Sequence, residues 1–201
     1  YEVFKPKILD ASLYDVPQKR ERLFVVGIRK ELKKLPFEFM PPQGYVTTIR
    51  DALFAGRLYT TDVPHSEGAV YNDKKKEVMK LVPPGGWWKH LPVDVQKSYM
   101  GKVFGATGGS TGLARRTSFD LPSPTLLCSP AQKLTERCHP SETRPFTVRE
   151  YARIQTFPDF WEFYGSMSSK YKQIGNAVPV NLALAVGTSI KRYLEDTLYE
   201  E

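Results

Sequence analysis

Cysteine is nearly missing from this chain of 201 residues, which carries only Cys128 and Cys138. Two thiols cannot staple a disulfide-dense scaffold, and both are expected to be reduced, in a cytosolic protein. Long apolar runs are missing too. Nothing approaches the roughly 20 residues that cross a bilayer, and no basic-then-apolar leader is visible. Phosphate loops of the Gly-x-Gly-x-x-Gly or Gly-x-x-x-x-Gly-Lys kind are absent, as is a serine nucleophile elbow. His65, His90 and His139 are scattered, and Cys128, Cys138 and His139 lack the paired close spacing of a zinc site. What remains is ordinary globular material, 41% hydrophobic, 12% aromatic and 25% charged, with a mean hydropathy of −0.40. That balance excludes a disordered chain and a fibrous repeat. Lysine and arginine total 29 against 22 acidic residues, and the net charge of +7 suits a polyanionic partner. A chain that starts at Tyr1 rather than methionine is expected to be a piece of something longer.

Three textures follow one another. Residues 1–35 read as strand, loop, strand and the start of a helix, with an apolar stretch at Ile8-Leu9-Asp10-Ala11 and a turn at Asp15-Val16-Pro17-Gln18. Leu23 to Ile28 is a β-branched run of the kind found in strands buried on both faces. Two adjacent strands make no stable sheet alone, so this region calls for partner strands. Residues 36–143 are loop-rich, punctuated by Pro41-Pro42, Pro83-Pro84-Gly85-Gly86 and Pro122-Ser123-Pro124. Short helices are expected at Thr48–Leu53 and Asp94–Met100, and Lys74-Lys75-Lys76 reads as a solvated loop. Trp87 and Trp88 read as core, because so irregular a domain needs bulky residues to bury. In residues 144–201 the regular pattern returns. Thr147 and Glu150 form a capping box, with Phe146 and Tyr151 as its staple, opening a helix that ends before Phe157-Pro158. A second helix is expected from Asn176, with Val178, Leu182, Val186, Ile190 and Leu194 as its buried stripe.

Gln18-Lys19-Arg20-Glu21-Arg22 leads into the second strand. Arg20 and Arg22 point to one side of an extended chain, where two planar guanidiniums can hold carboxylates, phosphates or a base carbonyl. Spacing alone leaves open the alternative of a solvated strand end with Glu21 as local partner.

The stretch from Asp15 to Gly27 resembles the Gln-x-Arg-x-Arg block of DNA cytosine-5 methyltransferases, with Asp15 where members often carry glycine. Arg144-Pro145-Phe146-Thr147-Val148-Arg149-Glu150-Tyr151 through Asp159 resembles the family's ninth block, and Tyr171-Lys172-Gln173-Ile174-Gly175-Asn176-Ala177-Val178-Pro179 its tenth and last. The three occur in the family's order, with a long variable stretch where the family keeps its target-recognition domain. The Phe-x-Gly-x-Gly cofactor loop, the Pro-Cys nucleophile and the Glu-Asn-Val acid have no counterpart. Cys128 follows leucine, and Cys138 lies between arginine and histidine.

The resemblance implies an α/β fold: the C-terminal part of a Rossmann-like methyltransferase sheet (residues 1–35), a small, loop-rich mixed target-recognition domain (36–143) and two C-terminal helices returning to the catalytic domain (144–201). It implies one half of an enzyme that moves a methyl group from S-adenosylmethionine to carbon 5 of a cytosine flipped out of double-stranded DNA. The chain alone is expected to be inactive, its partner being a missing N-terminal half or large subunit, in the bacterial cytoplasm of a restriction–modification system. Carried over residue by residue, Arg22 would donate to cytosine O2, and Arg20 would hold the flipped nucleotide or orient the active-site carboxylate. Asn176, Ala177 and Val178 would complete the cofactor pocket, where helix-start amides suit a carboxylate; Asn176 as a plain helix cap is compatible with that. Arg149 and Arg153 are given an architectural role. Arg115 and Arg116, ending a glycine-rich stretch from Gly108, are candidates for base reading. Thr125, paired with Leu126 as in the family, would lie by the backbone of the flipped nucleotide, and Ser129, Gln132, Lys133 and Arg137 would add contacts to bases or phosphates. The rival readings are a DNA-binding module without catalysis and a regulatory protein that docks through the Val178–Leu194 stripe.

Overall fold

The computed structural model describes residues 1–32, 35–105 and 112–199. Near the N-terminus, β1 (Glu2–Val3) pairs antiparallel with β4 (Gly27–Ile28), and β2 (Lys7–Asp10) with β3 (Glu21–Phe24). Together they form a single bent ribbon. Ile8 lies opposite Leu23 and Leu9 opposite Arg22, so alternation sends Leu9 and Phe24 to one face and Ile8 and Leu23 to the other. The first face closes on Ala11, Tyr14, Val16 and Leu182. The second face is bare, with Val3 59%, Ile8 62%, Leu23 63% and Val25 58% exposed. The expectation of one strand buried on both faces is corrected. The run breaks at Val25-Val26 into β3 and β4, and no further strand among the described residues covers its outer side.

Four buried clusters organise the rest. One joins α1 (Ile49–Leu53) to α4 (Val148–Ile154), α5 (Met167–Asn176), Leu126 and Phe146. A second packs Met79 of α2 (Asp73–Lys80) with Tyr71, Val82, Leu91 and Cys138, against the flank of α3 (Val93–Met100). The third and fourth seat α6 (Val180–Tyr199) on the ribbon through Leu182 and Tyr193. Tyr193 and Phe39 each lie within 6 Å of Phe37, at ring-centroid distances of 5.8 and 5.0 Å. No helix among the described residues is long and apolar enough to cross a membrane.

Local chemistry explains the elements. At α4 the Thr147 hydroxyl accepts from the Glu150 amide (3.3 Å) while the Glu150 carboxylate accepts from the Thr147 amide (2.7 Å). The lysine run is helix α2 rather than a loop. Asn72 caps it by accepting from the Lys75 amide at 2.9 Å, and Lys75, Val78 and Met79 turn inward at helical spacing. The C-terminal part holds three helices, not two. Met167, Tyr171 and Ile174 repeat on one face of α5, so Asn176 ends that helix and does not cap the next. Ala177 is extended, and Pro179 then separates α5 from α6. Along α6 the buried positions run Leu182, Ser189, Tyr193 and Thr197, whereas Leu194 and Val178 are exposed. A strict four-residue stripe drifts around a helix of 3.6 residues per turn, which is why the expected stripe leaves the buried face.

Candidate active-site face

Gln18 and Arg20 lie at the meeting point of segments far apart in sequence. The Gln18 side chain is fully buried. Its amide nitrogen donates to Gln155 (3.0 Å), and its oxygen accepts from the Leu126 amide (2.9 Å) and from Arg20 (3.4 Å). Gln155 passes the connection on to the Ile174 carbonyl at 2.8 Å. Arg20, 2% exposed, donates from Nη1 to Leu126 O (2.9 Å) and from Nη2 to Gly175 O (2.7 Å) and Ala177 O (3.2 Å). Its Nε–H is buried without a partner. Each of the resembling blocks thus contributes atoms to one polar knot, joined by the Thr125-Leu126 pair.

These partners correct the expectation for Arg20. A buried guanidinium must have its donors satisfied, and its terminal N–H groups are spent on the protein's own oxygens. No terminal N–H is left to hold a nucleotide, and the buried Nε–H is the one donor of this guanidinium without a partner among the described residues. Arg22 keeps its position on the same side of the ribbon, half-buried, and its Nη1 donates only to Glu21 O at 2.7 Å. Burial and the neighbouring Arg22 charge push the Arg20 pKa down to about 10, so Arg20 remains a cation at neutral pH. The two are close, and Arg22 is the one with donors to offer.

The turn after α5 packs tightly. A Cβ on Gly175 would fall 2.8 Å from the Leu127 carbonyl carbon and 2.9 Å from the Cys128 amide, so only glycine fits. The Cys128 thiol donates to Asn176 Oδ1 at 3.1 Å. Asn176 and Val178 are exposed and Ala177 half-buried. The expected row of free amides at the start of α6 is corrected. Val180 N–H donates to Gln155 O (3.0 Å) and Asn181 N–H to the Thr156 hydroxyl (3.0 Å), and Pro179 has none to give.

Thr125 lies beside this knot. Its hydroxyl donates to Lys19 O at 2.8 Å, and its carbonyl accepts from Arg137 Nε (3.2 Å) and Nη2 (2.8 Å). Arg137 is therefore buried structure and not a DNA contact. Arg116 is corrected for the same reason. It donates to the carbonyls of Val82 (2.7 Å), Met79 (2.7 Å), His139 (3.0 Å) and Glu142 (3.0 Å), and to the Thr143 hydroxyl (3.1 Å). Its neighbour Arg115 is half-buried against Trp87, and Gln132 and Lys133 stand exposed on a turn. The Ser129 carbonyl closes that turn by accepting from the Gln132 amide at 3.2 Å. The glycine-rich stretch lies partly outside the described residues, at 106–111.

The arginines of the ninth block bond within the protein. Arg144 forks onto Glu150 (2.7 and 2.8 Å), Arg149 holds the carbonyls of Pro158 and Trp161, and buried Arg153 makes a bidentate pair with Asp159 at 2.9 and 2.6 Å. Two contributors escape sequence reasoning. Gln155 carries no charge or periodic signal. Asp15 adopts φ +61°, a conformation that favours glycine, and gathers Tyr45, Thr47 and Arg57 on its carboxylate. The glycine that the resembling block often carries at that position is the matching sequence signal.

The fold and this face define a class. The chain belongs to the C-5 cytosine-specific DNA methylases, whose family profile matches residues 1–192. It is 58% identical over 196 residues to the Type II methyltransferase M.Eco47II of Escherichia coli, covering 97% of this chain and 47% of that protein. It is 54% identical over 197 residues to M.Sau96I of Staphylococcus aureus, covering 96% and 44%. The chain thus spans about half the length of the curated relatives it matches. A solved prophage-encoded DNA modification methyltransferase of E. coli has the same fold, with a TM-score of 0.60 at 24% identity over 97% of this chain and 61% of its own.

Proposed function

We propose that this chain is the C-terminal half of a DNA (cytosine-5) methyltransferase of a restriction–modification system, and that it supplies target recognition and part of the catalytic face. Residues 1–35 and 144–201 belong to the catalytic domain in this reading, and residues 36–143 to target recognition. The supporting observation is the knot at Gln18 and Arg20, which draws Leu126, Gln155, Gly175 and Ala177 together within hydrogen-bonding distance.

The division of labour follows from which donors are free. Arg20 is a positioning residue: it locks the ribbon to the Thr125-Leu126 pair and to the turn after α5. Arg22, held in place beside it, donates to the O2 of an everted cytosine and stabilises the charge that develops there when a thiolate from the other half adds to the ring. Such a donor is commonly worth about 3 kcal/mol in a water-poor site. Thr125 lies where it can meet the backbone of that nucleotide. Asn176 and Val178 fit one rim of a cofactor pocket, an exposed amide and an exposed apolar side chain on one turn. S-adenosylmethionine, when bound, supplies the methyl group.

Arg22→Ala in the intact enzyme is expected to lower kcat about 100-fold while the Kd for DNA changes less than threefold. Filter binding and transfer of labelled methyl groups measure the two, and equal losses in both would remove Arg22 from catalysis. If the chain combined with its N-terminal half binds DNA and transfers no methyl, it is a binding module instead.

A further inference from the structure

The tight turn Pro83-Pro84-Gly85-Gly86 presents Trp87 beside Arg115. Gly85 sits at φ +76°, and a Cβ on Gly86 would lie 2.8 Å from Pro83 O. Gly85 N–H donates to Thr117 O and Arg116 N–H to Gly86 O, both at 3.0 Å, so the turn is pinned to the 115–117 segment. The two tryptophans differ in role. Trp88 packs against the cluster around Met79 and Leu91, while Trp87 stands half-buried, edge-on to it at 5.6 Å. Lys89 Nζ lies 5.0 Å and Arg115 Cζ 6.0 Å from the centre of the Trp87 ring.

Two cations therefore share one ring. A cation over an aromatic face at an exposed site gains only about 0.5–1 kcal/mol. Among the described residues, neither charged end makes an ion pair or hydrogen bond. The next group inward, Arg137, is a third cation, spent on the carbonyls of Thr125 and Glu136. Arg116, one residue along, shows how this fold treats an arginine that serves only structure, by consuming its N–H groups. Arg115 is left unspent, and burial without a carboxylate lowers its pKa. Such an arrangement is complete only with an anion. A tetrahedral oxyanion can accept from two cations that approach from different directions, whereas reading a base edge needs the flat guanidinium fork free.

We propose that Lys89 and Arg115, held on the Trp87 ring, clamp a backbone phosphate of double-stranded DNA near the nucleotide-handling face. This rests on reading the chain as part of a DNA methyltransferase. Arg115 and Arg137 are close enough for their charges to act on each other, and Arg137 donates to the Thr125 carbonyl.

The test uses the intact protein and a labelled duplex of random sequence, with affinity followed by fluorescence anisotropy between about 50 and 200 mM salt. Lys89→Gln and Arg115→Gln are each expected to lower the slope of log K against log salt by about 1, and to weaken every duplex alike. Lys89 is exposed, so its variant leaves folding intact; Lys89→Glu should weaken binding further. Unchanged slopes in a protein that binds DNA would overturn the clamp, as would an Arg115→Gln loss confined to particular sequences. Mapping methylated cytosines in plasmid DNA treated with wild-type protein tests the methyltransferase reading separately. Its failure would leave the salt slopes to judge the clamp alone.

Discussion

A guanidinium buried at Arg20 is surrounded by carbonyl oxygens rather than carboxylates, so its charge is held by dipoles whose positions must not move. Gly175 sets one of them. Gly175→Ala would place a methyl group 2.8–2.9 Å from the backbone at Leu127 and Cys128, where no flexible side chain can yield. A loss of about 1–3 kcal/mol, the usual cost of overpacking, is expected in denaturant unfolding. His139 makes a prediction in pH. Its Nδ1 accepts from the amide of Glu142 at 3.2 Å, a bond that only the neutral ring can make. Burial lowers its pKa, opposed by Glu150 and Glu142 and assisted by Arg144 and Arg116. A lowered folded-state value leaves stability complete above the unfolded histidine range and removes it as pH falls from about 6.5 toward the folded value. Thermal melts should show that decline, and His139→Gln should flatten it; a decline of equal size in the variant would assign the effect to other groups.

At the scale of elements, Glu136 joins pieces that do not otherwise meet. Its side chain is fully buried, with Lys75 of α2 at 2.7 Å, the Tyr99 hydroxyl of α3 and the amide of Ala114. Glu136→Ala would strand the lysine and leave that amide without a partner, at a cost of about 3–5 kcal/mol. Circular dichroism melts should reveal it as a loss larger than that of Lys75→Met alone. Nothing in the sequence marks this glutamate, because its partners come from three separate segments. Where a signal is local, the sequence is readable. The Thr147–Glu150 box, α1 and α3 stand within a residue or two of their expected places. Arg116 and Arg137 show the limit. A basic residue in a loop reads as a surface group, and only the tertiary packing of carbonyls around it makes it a core residue. Asn176 shows another limit, since a good capping residue can equally stand at the end of the preceding helix.

For the whole molecule, the bare face of the ribbon is the large-scale feature. Val3, Ile8, Leu23 and Val25 form an apolar strip on short strands, and such patches mark association surfaces. In the proposed enzyme the N-terminal half packs against it. Leu23→Glu is expected to leave the melting temperature of this chain within about 2 °C, as a surface change should, while abolishing co-purification with the N-terminal half. Retained co-purification would place that interface elsewhere.

The knot at Arg20 also has a history in time. Its acceptors lie 106, 155 and 157 residues downstream. A ribosome adding roughly 5–20 residues per second leaves that cation waiting many seconds for Gly175 to emerge. Closure over so long a span is entropically slow and cannot be completed piecemeal. The knot therefore cannot close before residue 177 has been translated, and a chain cut short of that point carries the Arg20 cation without its Gly175 and Ala177 acceptors.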